Sequence, residues 1–152
     1  MFERILLVCT GNICRSPLAE AMVRLQLAED GRAATAQVRS AGTKAIPGKP
    51  ADETVLFVAR TQPTLAASLQ SHRSQSIDRT LTWWADLILV METHHARSVL
   101  KLDPTARGKI HLMGAGLGQS IPDPYLKHET VYREVHNLIA ASVASWRHKI
   151  NN

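Results

Sequence analysis

The chain has 152 residues, 45% hydrophobic and 20% charged, which suits one compact domain over 1–152 without disulfide staples and excludes a disordered chain. Eighteen Lys and Arg against 13 Asp and Glu leave a net charge of +5, which attracts anions, but the basic residues are too scattered to predict a nucleic-acid partner. No segment suits insertion in a membrane, the start MFERILLV lacks the length and flanks of a secretion signal, and two cysteines fit a reducing compartment, so the expected location is the cytoplasm.

In chain order, Ile5-Leu6-Leu7-Val8 is an apolar run of strand length, and a short glycine-containing turn leads to Ser16-Pro17, an N-cap and a first helical residue. Leu18, Met22 and Leu25 give the helix one apolar face, and Gly31 stops it. Residues 35–40 read as a second strand and 46–50 as an irregular loop. Asp52 caps a helix bearing Val55, Leu56 and Ala59, and 61–76 is assigned only to a turn with a short helical piece. Residues 86–91 form an interior strand, apolar after Asp86 and so covered on both faces. A helix over 93–102 ends before Pro104, 109–113 is a fourth strand, and 114–124, with three glycines and two prolines, is a loop. Val131, Val135, Leu138, Ile139 and Val143 mark a long amphipathic C-terminal helix. Strands alternating with helices predict an α/β fold: a four-stranded parallel sheet with helices on both faces and a phosphate-binding loop after the first strand.

Both cysteines lie in one stretch, VCTGNICRSP, from Val8 to Pro17. Ligands of parallel sheets sit at the carboxyl ends of the strands, and Cys9 follows the first strand directly, the place for a nucleophile. Gly11 and Asn12 tolerate left-handed dihedrals, so the turn can aim the amides of Thr10, Gly11, Asn12, Ile13, Cys14 and Arg15 at one point before a helix, a site for a dianion. Arg15 adds a planar fork matched to two phosphoryl oxygens. The helix dipole, the amides, the guanidinium and the Ser16 hydroxyl all favour negative charge on Cys9, and a thiolate beneath a cradled phosphoryl group is a covalent catalyst. A Cys with an Arg six residues later is a weak signal alone; the strand before, Gly and Asn within, and Ser-Pro and a helix after supply the context the chemistry requires.

Such chemistry also needs a proton donor opposite the sulfur. Of six aspartates, Asp30, Asp52, Asp78 and Asp103 fall at expected turns or caps and Asp86 opens a strand. Asp123 lies in the Gly/Pro loop after the last strand, beside Tyr125, although Asp-Pro is also a common turn. Cys14 has two readings, a small apolar filler or a partner that traps oxidised Cys9 as a reversible disulfide. Trp83, Trp84 and Trp146 read as packing residues, and His94-His95, on neighbouring helical positions, make a poor metal pair.

Cys9 to Pro17 resembles the signature loop of the low-molecular-weight protein tyrosine phosphatases. The likeness continues through Ser40-Ala41-Gly42-Thr43, Asp86 to Glu92 and Ile121-Pro122-Asp123-Pro124-Tyr125. Met91-Glu92 and Arg107-Gly108-Lys109 are similar to the bacterial branch associated with capsule and exopolysaccharide production. The resemblance implies hydrolysis of protein phosphotyrosine through a cysteinyl phosphate, without metal or cofactor. Cys9 would be the nucleophile, Arg15 the phosphate clamp and Asp123 the general acid and then base. The implied substrate is a tyrosine autokinase of polysaccharide export, and inorganic phosphate or other oxyanions would also enter the loop.

By the same resemblance Asn12, Ser40 and His72 prop the loop and Ser16 donates to the sulfur. The family usually follows that His with Ala-Arg-Gln, where this chain has Arg73-Ser74-Gln75. Ile13, Ala45, Ile46 and Tyr125 are the implied walls of a pocket deep enough for an aryl ester and too deep for a seryl ester. Lys44-Ala45-Ile46 lacks the aromatic residue often found on that wall. Members acting on phosphoarginine carry Thr where this chain has Ile13; an arginine phosphatase on the same scaffold stays as the alternative activity. A thioredoxin-coupled arsenate reductase on this scaffold would need further cysteines, and a non-catalytic phosphate-binding module would need neither Cys9 nor Asp123.

Overall fold

In the computed structural model, which describes residues 1–152, the four strands are β1 (Arg4–Cys9), β2 (Gln37–Gly42), β3 (Leu87–Val90) and β4 (Ile110–Leu112). They pair in the order β2-β1-β3-β4, and the sheet is parallel throughout, which is the part the sequence predicted. The helices are α1 (Arg15–Glu29), α2 (Glu53–Ala59), α3 (Pro63–Gln70), α4 (Arg79–Trp84), α5 (Thr93–Leu102) and α6 (Glu129–Asn151). None is long and apolar enough to cross a membrane.

The apolar run in β1 works because successive side chains leave opposite faces of a strand. Ile5 and Leu7 pack with Leu18, Val23 and Leu27 of α1 and with Val135, Ile139 and Trp146 of α6. Leu6 and Val8 enter a smaller cluster with Leu81, Ile88, Val90 and Val99. All four β1 residues are fully buried, and each aliphatic side chain so placed contributes about 1.5–3 kcal/mol. Parallel pairing then brings the carboxyl ends of all four strands to one rim, where Cys9 ends β1 opposite Gly42.

Several local expectations are corrected. Helix α1 starts at Arg15 behind an N-cap at Cys14, not at Pro17 behind Ser16, because the Ser16 hydroxyl is drawn to the Cys9 sulfur instead. Between 61 and 76 lies a full helix, α3, with Pro63 in its first turn and Leu65 and Leu69 buried four residues apart. Helix α4 has no sequence periodicity; the Asp78 carboxylate nucleates it by accepting from the Leu81 N–H at 2.8 Å. Trp146 is buried and donates to the Met113 carbonyl, whereas Trp83 is 64% exposed and Trp84 carries the Arg39 guanidinium 4.3 Å above its ring.

Glycine is required where β2 meets the loop after β1. A Cβ on Gly42 would run into the Thr10 carbonyl oxygen and come within 2.9 Å of the Ala45 Cβ. That close approach lets the Lys44 N–H bond the Thr10 carbonyl and the Thr43 N–H bond the Cys9 carbonyl, both at 2.9 Å, so the loop is stitched to β2.

Candidate active site

Between Cys9 and Ser16 the chain wraps round the Cys9 sulfur. Only Asn12 takes the left-handed conformation, with φ +56°; Gly11 does not, and a Cβ there would meet nothing closer than Ile13 at 3.6 Å. The N–H groups of Thr10, Gly11, Ile13, Cys14, Arg15 and Ser16 donate to no protein acceptor, while the Asn12 N–H points at the sulfur at 3.3 Å. Unpartnered amides at the uncapped start of a 15-residue helix form a concavity for an oxyanion.

Donor and acceptor logic fixes the direction of every hydrogen bond behind this loop. The Asn12 amide nitrogen can only donate, and it reaches the Ser16 hydroxyl at 2.8 Å and the Ser40 hydroxyl at 2.9 Å. Each hydroxyl must therefore pass its own proton onward: Ser40 to the Glu20 carboxylate at 2.5 Å, and Ser16 to the Cys9 sulfur at 2.9 Å. The remaining polar atoms of Asn12 are also used. Its side-chain oxygen accepts from the Gln75 N–H, and its carbonyl accepts from His72 Nε2 at 2.6 Å. Asn12 is fully buried, so a complete set of partners is what makes its strained φ tenable.

Arg15 is 2% exposed and gripped along one edge: its Nη1 donates to Glu92 at 2.5 Å and to the Ile121 carbonyl at 2.8 Å. Nη2 faces the loop, 3.6 Å from Asp123 and 3.5 Å from the Thr10 hydroxyl. Although partial burial opposes it, the Arg15 charge, with hydrogen bonds from Arg15 and His94, holds the Glu92 carboxyl below its usual range. His95 is fully buried beside this pair. Its Nδ1 accepts the Glu92 N–H at 3.0 Å, which places the proton on Nε2, 2.8 Å from the Thr10 hydroxyl.

Burial, with the nearby Arg15 and His94 charges, lowers the His95 pKa to about 4, against opposing pulls from Glu92 and Asp123. The unfolded chain takes up that proton near 6.5, so the contribution is complete above pH 6.5, lost on descending to about pH 4, and constant below. The loss over this window is expected to be roughly 3 kcal/mol. Urea titrations at pH 7 and pH 4.5 check this: wild type should lose most of that amount relative to His95→Gln, and equal losses would refute it.

Asp123 sits across the cavity from the loop, half exposed, with one oxygen accepting the Tyr125 N–H at 3.1 Å and the other facing Arg15. The cavity, about 240 Å³, is lined by the loop with Ile13, Lys44, Ile46, Lys49, Asp123 and Tyr125. Of the expected walls Ala45 does not line it; it turns back against Gly42. Asn12, Ser16, Ser40 and His72 stand behind the loop, and Thr10, Gly11, Cys14 and Arg15 line the cavity with Cys9.

Cys14 is 5% exposed among Leu18, Val55, Val58 and Tyr132, and burial, then Asp52, Cys9 and Asp123, pushes its thiol strongly up. A thiol held neutral is a slow attacker, which favours the packing reading.

From the sequence no part in the site falls to Glu20, Gln75, Glu92 or His95, although Glu92 and Gln75 stand in stretches compared with the family and His95 is weighed only as half of a metal pair. Glu20 stands four residues after Ser16, on the same helix face, and Glu92 lies just past the strand that neighbours β1. Those placements were the available signals; Gln75 and His95 had no such placement.

Fold and loop together define an α/β protein whose first strand delivers a thiol into an anion-receiving turn beneath a buried arginine. The family model for low molecular weight phosphotyrosine protein phosphatase matches residues 4–152. The low molecular weight protein-tyrosine-phosphatase Wzb of Escherichia coli K12 is 38% identical over 152 residues, 99% of this chain and 97% of that protein. The crystal structure of the Erwinia amylovora tyrosine phosphatase AmsI superposes with a TM-score of 0.90 at 35% identity, covering 100% of this chain and 95% of that one. Vibrio vulnificus Wzb in complex with benzylphosphonate does so with 0.88 at 36% identity, covering 98% and 99%. This chain belongs to the low molecular weight phosphotyrosine protein phosphatase family.

Proposed function

We propose that the chain hydrolyses phosphotyrosine in a cytoplasmic protein, with Cys9, Arg15 and Asp123 carrying the reaction. The Cys9 sulfur attacks phosphorus in line; the S–P bond forms as the P–O bond to the tyrosyl ring breaks, and the Asp123 carboxyl gives its proton to the departing phenolic oxygen. Water then attacks the cysteinyl phosphate. Asp123 takes its proton, the S–P bond breaks, and inorganic phosphate leaves with the sulfur restored. The free edge of Arg15 and the loop amides hold the three equatorial oxygens in both steps.

The observation that carries this reading is the set of unpartnered amides round the Cys9 sulfur, faced by Arg15 Nη2 with Asp123 beside it. The benzylphosphonate held by the Vibrio vulnificus relative is an aryl-bearing analogue of a phosphate ester, which supports a substrate of the same shape here. Ile13 and Tyr125 give the cavity apolar and aromatic walls for the ring. The resemblance to the capsule and exopolysaccharide branch points to a tyrosine autokinase of polysaccharide export as the partner.

Phosphate release from matched phosphotyrosine, phosphoserine and phosphoarginine peptides tests the assignment. Turnover of the tyrosine peptide should exceed the other two by about 100-fold or more, because only an aryl ester places its phosphate on the floor with its ring between the walls. Preferential release from the arginine peptide would transfer the chain to the alternative activity.

A further inference from the structure

The wall formed by residues 44–49 lacks an aromatic ring and carries two lysines, and both line the cavity with Ile46 between them. Neither ammonium makes an ion pair within the chain. The cavity is thus lined by three cationic side chains, Arg15, Lys44 and Lys49, and one carboxylate, Asp123. A bound phosphoryl group draws on Arg15 and Asp123. The two lysines stay uncompensated at the mouth, where the polypeptide on either side of the phosphotyrosine must lie.

This wall is held in place before substrate arrives. At one end the Lys44 N–H bonds the Thr10 carbonyl at 2.9 Å. At the other, buried Ser74 ties the segment down: its hydroxyl donates to the Ile46 carbonyl at 2.5 Å and accepts the Lys49 N–H at 2.8 Å, its N–H bonds the Lys49 carbonyl and its carbonyl accepts from Gly48. Ile46, 67% exposed, offers an apolar surface for side-chain methylenes between the two charges. Main-chain bonds fix the backbone that carries both charges, so only the lysine side chains are ordered when an anion is taken up.

We propose that Lys44 and Lys49 form a subsite for an anionic side chain flanking the phosphotyrosine, so that the enzyme selects tyrosines in acidic or multiply phosphorylated surroundings. The inference rests on the phosphotyrosine reading above and names which phosphotyrosines are taken. The recognised chemistry is negative charge one or two residues from the scissile ester, whether a carboxylate or a second phosphate.

Three phosphotyrosine peptides of equal length, flanked by Ala, by Glu or by a second phosphotyrosine, separate the cases. At low salt kcat/KM should rise about tenfold from Ala to Glu flanks, since two partly exposed ion pairs contribute a few-fold each, and the gain should shrink in about 0.5 M salt. A gain with both Glu and the second phosphate marks a general anion subsite; a gain with the second phosphate alone narrows it to phosphate.

In Lys44→Gln with Lys49→Gln the ratio between anionic and Ala-flanked peptides should fall towards one. A wild-type ratio that stays near one for both anionic peptides, or a full ratio retained in the doubly substituted protein, overturns the subsite. Turnover of the Ala-flanked peptide with a flat ratio sinks this inference and leaves the phosphotyrosine reading standing. No turnover of any of the three sinks both.

Discussion

Replacing Cys9 by Ser is expected to lower kcat/KM for a phosphotyrosine peptide by about 10,000-fold or more while phosphate still binds. The reason lies in the partners of the sulfur. Asn12 N–H and the Ser16 hydroxyl both act as donors towards it, and no basic side chain accepts from it. Donors of this kind stabilise charge already present on sulfur but remove no proton from a hydroxyl, so an oxygen placed there would remain a neutral, weak nucleophile.

The anion-receiving amides belong to the backbone and survive the exchange. Steady-state turnover and calorimetric titration with phosphate measure the two properties separately. A substituted protein keeping more than about one per cent of its turnover would remove Cys9 from the chemistry.

The second large effect concerns Arg15→Lys, for which kcat/KM should fall about 1000-fold with the fold intact. Arginine does two tasks at once because its guanidinium has two usable edges. Nη1 is consumed by Glu92 and the Ile121 carbonyl, and Nη2 is left for the ligand. A lysine ammonium is a single point charge, and Glu92 would capture it, leaving the phosphoryl oxygens without their side-chain partner. The inhibition constant of inorganic phosphate should rise about 100-fold, since the same oxygens are gripped in the ground state. A fall of less than about tenfold in kcat/KM would mean that the backbone amides alone hold the transferring group.

Glu92 also shows how far a single sequence reaches into a site. Cys9, Arg15 and Asn12 are legible because they share one loop, where spacing along the chain and proximity in space coincide. Asp123 is left as a candidate once Asp52 and Asp78, which cap α2 and α4, and Asp103, which starts a 3-10 turn at Pro104, are set aside, but Asp-Pro is also a common turn, and the role of acid comes to it from the family resemblance.

Glu92, His95, Glu20 and Gln75 come from other elements, and their parts depend on which strand ends and helix faces adjoin the loop. Within the fold, the strands and the long helices are visible from apolar runs and period. Helix α4, six residues rich in Thr and Trp, has no such pattern and exists because Asp78 caps it and Leu81 is buried.

Local chemistry was settled by residue order: an apolar run ending in Cys9, a turn that only a small or Asn-like residue can make, and a helix start behind it, because each depends on backbone conformation over a few residues. The orientation and charge state of the groups round that turn were settled by packing. Parallel pairing of β3 beside β1 sets Glu92 and His95 against Arg15, and the close approach of β2 at Gly42 presses the lysine-bearing wall against the loop. These are contacts between residues tens of positions apart, and their energies come from burial and exact donor–acceptor matching, quantities that exist only once the chain has closed on itself.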